Sequence, residues 1–186
     1  MLKQNSLLVG FYANDAEPDI ANQFPSKLAS IFGTQNKERH MSGNLSVWAF
    51  AAQCVMDYVE QIPEIDSSQV TLAGHSRCGK VALWSGANDE RFHAVMANGS
   101  GCCGASLSLG KTGENLFSIQ TAFPHWFAPA FLNYACKERN FHLTNTLLAQ
   151  WLPESSISEA EVKMPGPIRR GNISVHSLPL KHGNII

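Results

Sequence analysis

The sequence predicts an α/β fold in which a parallel sheet is flanked by helices. Short apolar runs alternate with helix-like segments between residues 46 and 104, an order typical of parallel strands covered on both faces. The β-branched and apolar run of residues 70–73 meets Gly74, Ser76 follows two residues later, and a helix-like segment begins at once. This order places a serine at the carboxyl end of a strand, where the functional sites of such sheets lie.

The first forty residues predict little regular structure. The apolar run Leu7 to Tyr12 is expected to form a buried core strand, and it is too short, without a small-residue cleavage site, to be a convincing signal peptide. In that case the first residues of the chain would already belong to the core of the domain. The next segments are expected to be an acidic loop at residues 14–19, a short helix or turn at 24–32, and a polar loop at 35–43.

The following elements have clearer patterns. Between Ser46 and Gln61 the apolar residues have the 3.6-residue spacing of an amphipathic helix. The expected order after it is a strand at residues 69–73, a helix that runs to about Gly86, a parallel strand at 94–97, and a glycine-rich loop from Asn98 to Gly104. That loop and Ser76 are predicted to lie at the same edge of the sheet.

Length and charge limit the classes of function. The chain has 186 residues, of which 44% are hydrophobic and 16% charged, as expected for one globular domain with a core. A net charge of −1 and a pI near 6.6 argue against a nucleic-acid partner. No apolar run reaches the roughly 18 residues that span a bilayer. The five cysteines form no C-x-x-C pair, so buried or semi-buried thiols are expected rather than a metal site.

The segment from Gly74 to Gly79 matches a nucleophile elbow. In such a turn the strained backbone lifts the serine hydroxyl above the sheet, and N–H groups at the helix start can hold an oxyanion. The pattern predicts acyl-transfer chemistry with Ser76 as the nucleophile. One departure is that Cys78 stands two residues after the serine, where glycine is usual, and the glycine comes one residue later.

Two other interpretations of the same segment stay open. Gly74 and the pair Gly79-Lys80 also satisfy G-x-x-x-x-G-K, the start of a phosphate-binding loop. Val81 then stands where a hydroxyl should bind Mg²⁺, and the bulky His75 and Arg77 give such a loop little advantage. The remaining possibility is a plain buried turn between a strand and a helix.

Residues 11–140 resemble bacterial members of carbohydrate esterase family 15, the glucuronoyl esterases. The resemblance rests on ordered islands, which are residues 11–19, 74–80, 86–92, 98–104, 113–114 and 123–127. It implies a partial α/β-hydrolase fold over residues 1–140, without metal or organic cofactor. It also implies a serine carboxylester hydrolase that cleaves the ester joining the glucuronic acid of glucuronoxylan to lignin alcohols. Members of this family are usually secreted or periplasmic, but the compartment of this chain stays undecided.

The resemblance also implies roles for individual residues. Ser76 resembles the nucleophile, and Arg77 resembles the side chain that supplements the backbone oxyanion hole. A fixed guanidinium charge there favours the alkoxide over the neutral ester carbonyl. Lys80 and Glu114 resemble the residues that contact the sugar, although Lys80 could also be a solvated lysine in the first turn of the helix.

The family's catalytic acid and base are not matched in this chain. Gly99 stands where many relatives carry an acidic residue that orients the catalytic histidine. That histidine is expected beyond the last residue of this sequence. His75 cannot fold back onto its neighbour as a base, and His125 is expected to be structural or to line the site. We therefore expect this chain to be impaired as an esterase, or to be a non-catalytic carbohydrate-binding remnant of the fold.

Residues 141–186 are expected to form an irregular tail, and we expect this tail to be translated out of frame. Residues 140–146 can be encoded by codons whose shifted frame gives L-P-F-D-Q-H, and residues 163–173 by codons whose shifted frame gives D-A-W-A-D-P-K-G-E-Y. Both resemble the family's continuation, and the second would restore an acid. A segment in the wrong frame would have no apolar periodicity, as observed. A true divergent C-terminus is the alternative.

Overall fold

The computed structural model describes residues 6–21, 42–106 and 113–137, together with the backbone of two short strands at 161–163 and 172–174. The described helices are α1 (Ala13–Ala16), α2 (Asn44–Val59), α3 (Arg77–Asn88) and α4 (Leu116–Ala122). The strands are β1 (Thr71–His75), β2 (Ala94–Asn98), β3 (Glu161–Lys163) and β4 (Asn172–Ser174). Short 3₁₀ helices cover Ser67–Gln69, Pro124–Trp126 and Pro129–Tyr134.

The sheet brings the ends of β1 and β2 together. These strands are parallel, with Thr71 opposite Ala94 and His75 opposite Asn98, and the strand order is β1-β2-β4-β3. The parallel pairing and the helix α2, predicted at 46–61 and found at Asn44–Val59, are confirmed. Because both strands end at one edge, Ser76 and the loop after Asn98 are neighbours.

The segment after residue 140 contributes two strands that the sequence did not predict. β4 lies parallel to β2, and β3 lies antiparallel to β4. Each spans three residues, which is too short for a hydrophobic period to be visible in the sequence. The proposed domain boundary at residue 140 stays a prediction. The rest of the predicted irregular tail lies outside the described residues. The helix or turn expected at residues 24–32 also lies outside them.

The main core lies between α2, α3, α4 and the loop after β2. Its buried members are Leu45, Trp48, Ala49, Val81, Cys102, Cys103, Leu116, Ile119 and Trp126. Trp48 is fully buried, and its indole N–H donates to the Glu17 carbonyl over 2.7 Å. The N-terminal segment is therefore fastened to the core at Glu17.

The strand predicted at Leu7 to Tyr12 is wrong. The segment has no strand structure, and its side chains are exposed. The helix α1 also occupies part of the loop expected at residues 14–19. A strand needs a partner for its backbone groups, and a short apolar run does not reveal whether one is available.

Arg91 joins the end of α2 to the turn before β2. Its Nη1 lies 2.6 Å from Asp57 Oδ1 and 2.7 Å from Glu60 Oε2, and its Nη2 lies 2.6 Å from Asp89 Oδ2. Burial raises the pKa of the Asp89 carboxyl, but the hydrogen bonds and charge of Arg91 outweigh it and hold that pKa below its usual value.

An Arg91→Ala variant is expected to lose about 2 kcal/mol of unfolding free energy, between the values for exposed and buried ion pairs. Because the pKa of Asp89 is lowered by folding, its contribution is present above the unfolded pKa and is lost as the pH falls through the folded value. Urea unfolding between pH 7 and pH 3 measures both effects. The exposed Lys137 gives the control, and equal stabilities of the Lys137→Ala and Arg91→Ala variants would contradict the prediction.

Candidate active site

Ser76 is the single residue between β1 and α3. Its φ is 54° and its ψ is −120°, a region that side-chain-bearing residues rarely adopt. Its backbone N–H donates to the Asn98 carbonyl over 2.9 Å, and its side chain is exposed. The backbone of the turn is therefore hydrogen-bonded to the end of β2, and Ser76 is exposed at this edge of the sheet.

Two glycines allow this turn to close. A Cβ at Gly74 would lie 2.1 Å from the Cys78 carbonyl oxygen, and one at Gly79 would lie 3.0 Å from Ser100 Cβ. Gly79 is buried while Cys78 is exposed. The close approach to the neighbouring loop falls on Gly79, which explains why this sequence carries glycine one residue later than the usual pattern.

Arg77 opens α3 directly after the serine. Its backbone N–H lies in the first turn, where helices have no internal acceptor. Its side chain is 41% exposed, and its Nη1 lies 2.9 Å from Asp19 Oδ2. A fixed positive charge and a helix N-terminus thus directly follow Ser76 in the chain.

Asp19 is a member of this site that sequence reasoning missed. Its Oδ1 accepts hydrogen bonds from Trp126 Nε1 at 2.6 Å and from His125 Nε2 at 2.9 Å, while Oδ2 pairs with Arg77. Burial raises the pKa of the Asp19 carboxyl, but the bonds from Trp126 and His125 and the charge of Arg77 leave it below its usual value. The sequence signal for Asp19 was its position in residues 11–19, a segment that resembles the family but in which no residue was given a function.

Lys80 is buried rather than solvated, so the alternative of an exposed first-turn lysine is wrong. It is 4% exposed, its Nζ donates to the Ser100 carbonyl, and this Nζ lies 5.9 Å from the centre of the Trp126 ring. Charge over an indole face is favourable when desolvated. The ammonium therefore has a fixed position below the glycine-rich loop.

Glu114 contacts the same loop. Its Oε2 accepts from the Cys102 N–H over 3.2 Å. A Cβ at Gly101 would lie 3.2 Å from this oxygen and 3.7 Å from Lys80 Nζ. The predicted sugar contacts, Lys80 and Glu114, are thus brought to one point of the loop.

No histidine is hydrogen-bonded to the Ser76 hydroxyl within residues 6–21, 42–106 and 113–137. The ring of His75 lies beside Gly99, whose Cβ would be 3.2 Å from His75 Cε1. His125 points to Asp19. None of these described residues is therefore positioned as a base on the Ser76 hydroxyl.

Comparisons with known proteins show the family of this chain. Residues 11–150 match the family described as glucuronyl esterase, fungi. The chain belongs to the glucuronoyl esterase family. A similar curated protein is a carbohydrate esterase from an unknown prokaryotic organism, 39% identical over 141 residues, which are 74% of this chain and 32% of that protein. The 4-O-methyl-glucuronoyl methylesterase of Neurospora crassa is 29% identical over 155 residues, which are 76% of this chain and 38% of that protein.

Solved structures of glucuronoyl esterases are also similar. The enzyme from Solibacter usitatus is 34% identical with a TM-score of 0.64, over 74% of this chain and 36% of that one. A promiscuous esterase of the same family from a marine bacterial metagenome is 38% identical with a TM-score of 0.61, over 71% and 34%. The α/β-hydrolase fold and the resemblance are thereby confirmed. The chain spans about a third of the length of these relatives.

Membership of the glucuronoyl esterase family replaces the phosphate-loop interpretation. Gly74 lies inside β1, Lys80 lies inside α3, and only Ser76 separates strand from helix. A single residue between strand and helix is too short to wrap a phosphate. Within the described ranges no cluster of His, Cys, Asp or Glu could hold a metal ion. No described helix is long and apolar enough to cross a membrane.

Proposed function

We propose that this chain carries the nucleophile half of a serine carboxylester hydrolase acting on glucuronic acid–lignin alcohol esters of glucuronoxylan. The observation that supports it best is the exposed Ser76 on a strained turn, with the Arg77 guanidinium and a helix N-terminus beside it, in a member of the glucuronoyl esterase family. An ester carbonyl placed over the turn would meet the hydroxyl and the positive groups together.

The chemistry follows from where charge develops. Attack by Ser76 Oγ on the ester carbon turns the carbonyl oxygen into an alkoxide, and the Arg77 side chain and backbone N–H stabilise it. A base takes the proton of Ser76 Oγ as it attacks and passes it to the leaving oxygen, so that the alcohol departs and the acyl-enzyme remains. Water then hydrolyses the acyl-enzyme, which releases the uronate and returns the proton to Ser76. Lys80 donates to sugar hydroxyls, and Glu114 accepts from them, next to the glycine-rich loop.

Serine needs a base for this attack, and an added small base can test whether Ser76 is the nucleophile. Imidazole in solution is expected to increase hydrolysis of a benzyl glucuronate ester by the chain about tenfold over imidazole alone, a fraction of what a positioned base supplies. The Ser76→Ala variant should lose this increase completely. The variant Ser68→Ala, at an exposed serine far from the turn, should keep it.

A carbohydrate-binding remnant is the second candidate, because no histidine among the described residues is hydrogen-bonded to the Ser76 hydroxyl. Such a remnant would bind D-glucuronate in an NMR titration and lose binding in Lys80→Met, yet show no Ser76-dependent hydrolysis with imidazole. Binding of ATP that is lost in Lys80→Ala would contradict both candidates.

A further inference from the structure

We propose that Asp19 is a positioning residue of this site, which fixes the Arg77 guanidinium for the oxyanion. Its carboxylate also links Arg77 to the indole of Trp126, over which Lys80 lies. The inference rests on the proposed function of Ser76. Asp19 touches neither Ser76 nor the glycine-rich loop in any described contact, so it would act through Arg77 and Trp126.

The Asp19 carboxylate uses both oxygens on three donors. Oδ2 holds Arg77 Nη1 at 2.9 Å, and Oδ1 holds Trp126 Nε1 at 2.6 Å and His125 Nε2 at 2.9 Å. Since an ionised carboxylate only accepts, His125 must carry its proton on Nε2. Asn cannot replace this arrangement, because its amide has one accepting oxygen and its NH₂ would face a donor.

Hydrogen bonds to the two preceding residues fix the backbone that carries Asp19. The Glu17 carbonyl accepts from the buried indole of Trp48 over 2.7 Å, and the Pro18 carbonyl accepts from Asn44 Nδ2 over 2.9 Å. Both donors belong to α2. The carboxylate is therefore presented from a rigid support, with its side chain only 13% exposed.

Arg77 needs such a partner because its side chain is partly exposed. A 41% exposed arginine would sample many rotamers, and an oxyanion hole works only if its donors are in place before charge develops. Nη1 is bound to Asp19 and Nε is buried, so in this proposal Nη2 is the nitrogen that would bind the developing oxyanion. Asp19 thus selects one rotamer of the residue next to the nucleophile.

The same carboxylate reaches the predicted sugar site through Trp126. The indole N–H of Trp126 points to Asp19, its ring stacks on Phe123 with centroids 3.9 Å apart, and Lys80 Nζ lies over its face. Phe123 and the core hold this ring as well, so loss of Asp19 should disturb Arg77 more than Lys80.

The test compares Asp19→Asn with Asp15→Asn, an identical charge change at an exposed residue of α1. In the imidazole-supplemented assay, Asp19→Asn is expected to lower kcat about 10- to 100-fold, as small misplacements of reacting groups do, with KM within about twofold. Asp15→Asn should match the parent chain. In an Arg77→Ala background, Asp19→Asn should cause no further loss, whereas a merely structural role would add its own loss. An unchanged kcat in Asp19→Asn would overturn the proposal.

If the parent chain shows no Ser76-dependent hydrolysis, that result contradicts the proposed function but not the role of Asp19. A second measurement then tests the role of Asp19 without activity. The ¹⁵N relaxation of Arg77 Nε and the indole ¹H shift of Trp126 report the geometry directly. Asp19→Asn should mobilise Arg77 Nε and shift the indole proton upfield, while Asp15→Asn should change neither. An Arg77 side chain equally ordered in both variants would overturn the role of Asp19.

Discussion

A Gly74→Ala variant is expected to lose about 3 kcal/mol or more of unfolding free energy, at the upper end of overpacking effects. The added Cβ would lie 2.1 Å from the Cys78 carbonyl oxygen and 2.4 Å from its carbon. Both are backbone atoms in the first turn of α3, so they can move only if the whole turn around Ser76 moves. Urea unfolding measures the loss.

Gly10 supplies the matched control for this substitution. A Cβ at Gly10 has nothing within 4 Å, so Gly10→Ala should change the unfolding free energy by less than about 0.5 kcal/mol, as surface substitutions do. If Gly74→Ala were as stable as Gly10→Ala, the tight crossing of strand and helix would not exist in solution.

The purified 186-residue chain, without added imidazole, is expected to hydrolyse a benzyl glucuronate ester at least about 10³-fold more slowly than a full-length relative, because no base is hydrogen-bonded to the Ser76 hydroxyl among the described residues. The oxyanion groups proposed at Arg77 would supply only residual catalysis. Initial rates under matched conditions measure the ratio, and robust hydrolysis by this chain alone would refute the expectation.

The proposed shifted frame extends this second prediction. If residues after about 140 are out of frame, a chain continued in the other frame should recover the acid and the histidine, and its turnover should rise by the same orders of magnitude. The nucleotide sequence decides the premise. Stop codons, or no family-like continuation in the shifted frame, would leave true divergence as the explanation of the tail.

Local patterns predicted the parts of the fold that are built from neighbouring residues. The 3.6-residue spacing located α2 to within two residues at each end, and the strand–glycine–serine–helix order located the turn of Ser76. Both predictions succeeded because they depend on residues that are close in sequence. The helix α2 depends on apolar burial along one face, and the turn depends on the backbone conformation of one residue.

Contacts between distant segments were not predictable in the same way. Leu7 to Tyr12 has the composition of a strand, but whether a partner strand accepts it depends on the rest of the sheet. Lys80 is charged, and only the fold shows that a carbonyl of the next loop and an indole ring bury it. Asp19 belonged to a conspicuous island, yet its three donors lie far along the chain.

The separation of Asp19 from its donors has a consequence for biosynthesis. Asp19 and Trp126 are 107 residues apart, whereas Ser76 and Arg77 are adjacent on one turn. During translation at about 5–20 residues per second, the turn can form well before Trp126 leaves the ribosome. The nascent chain therefore passes through a stage in which the serine turn exists and the indole that clamps Asp19 does not. Closing that long loop is the entropically costly step, and so the ordering of the arginine would be among the last events of folding.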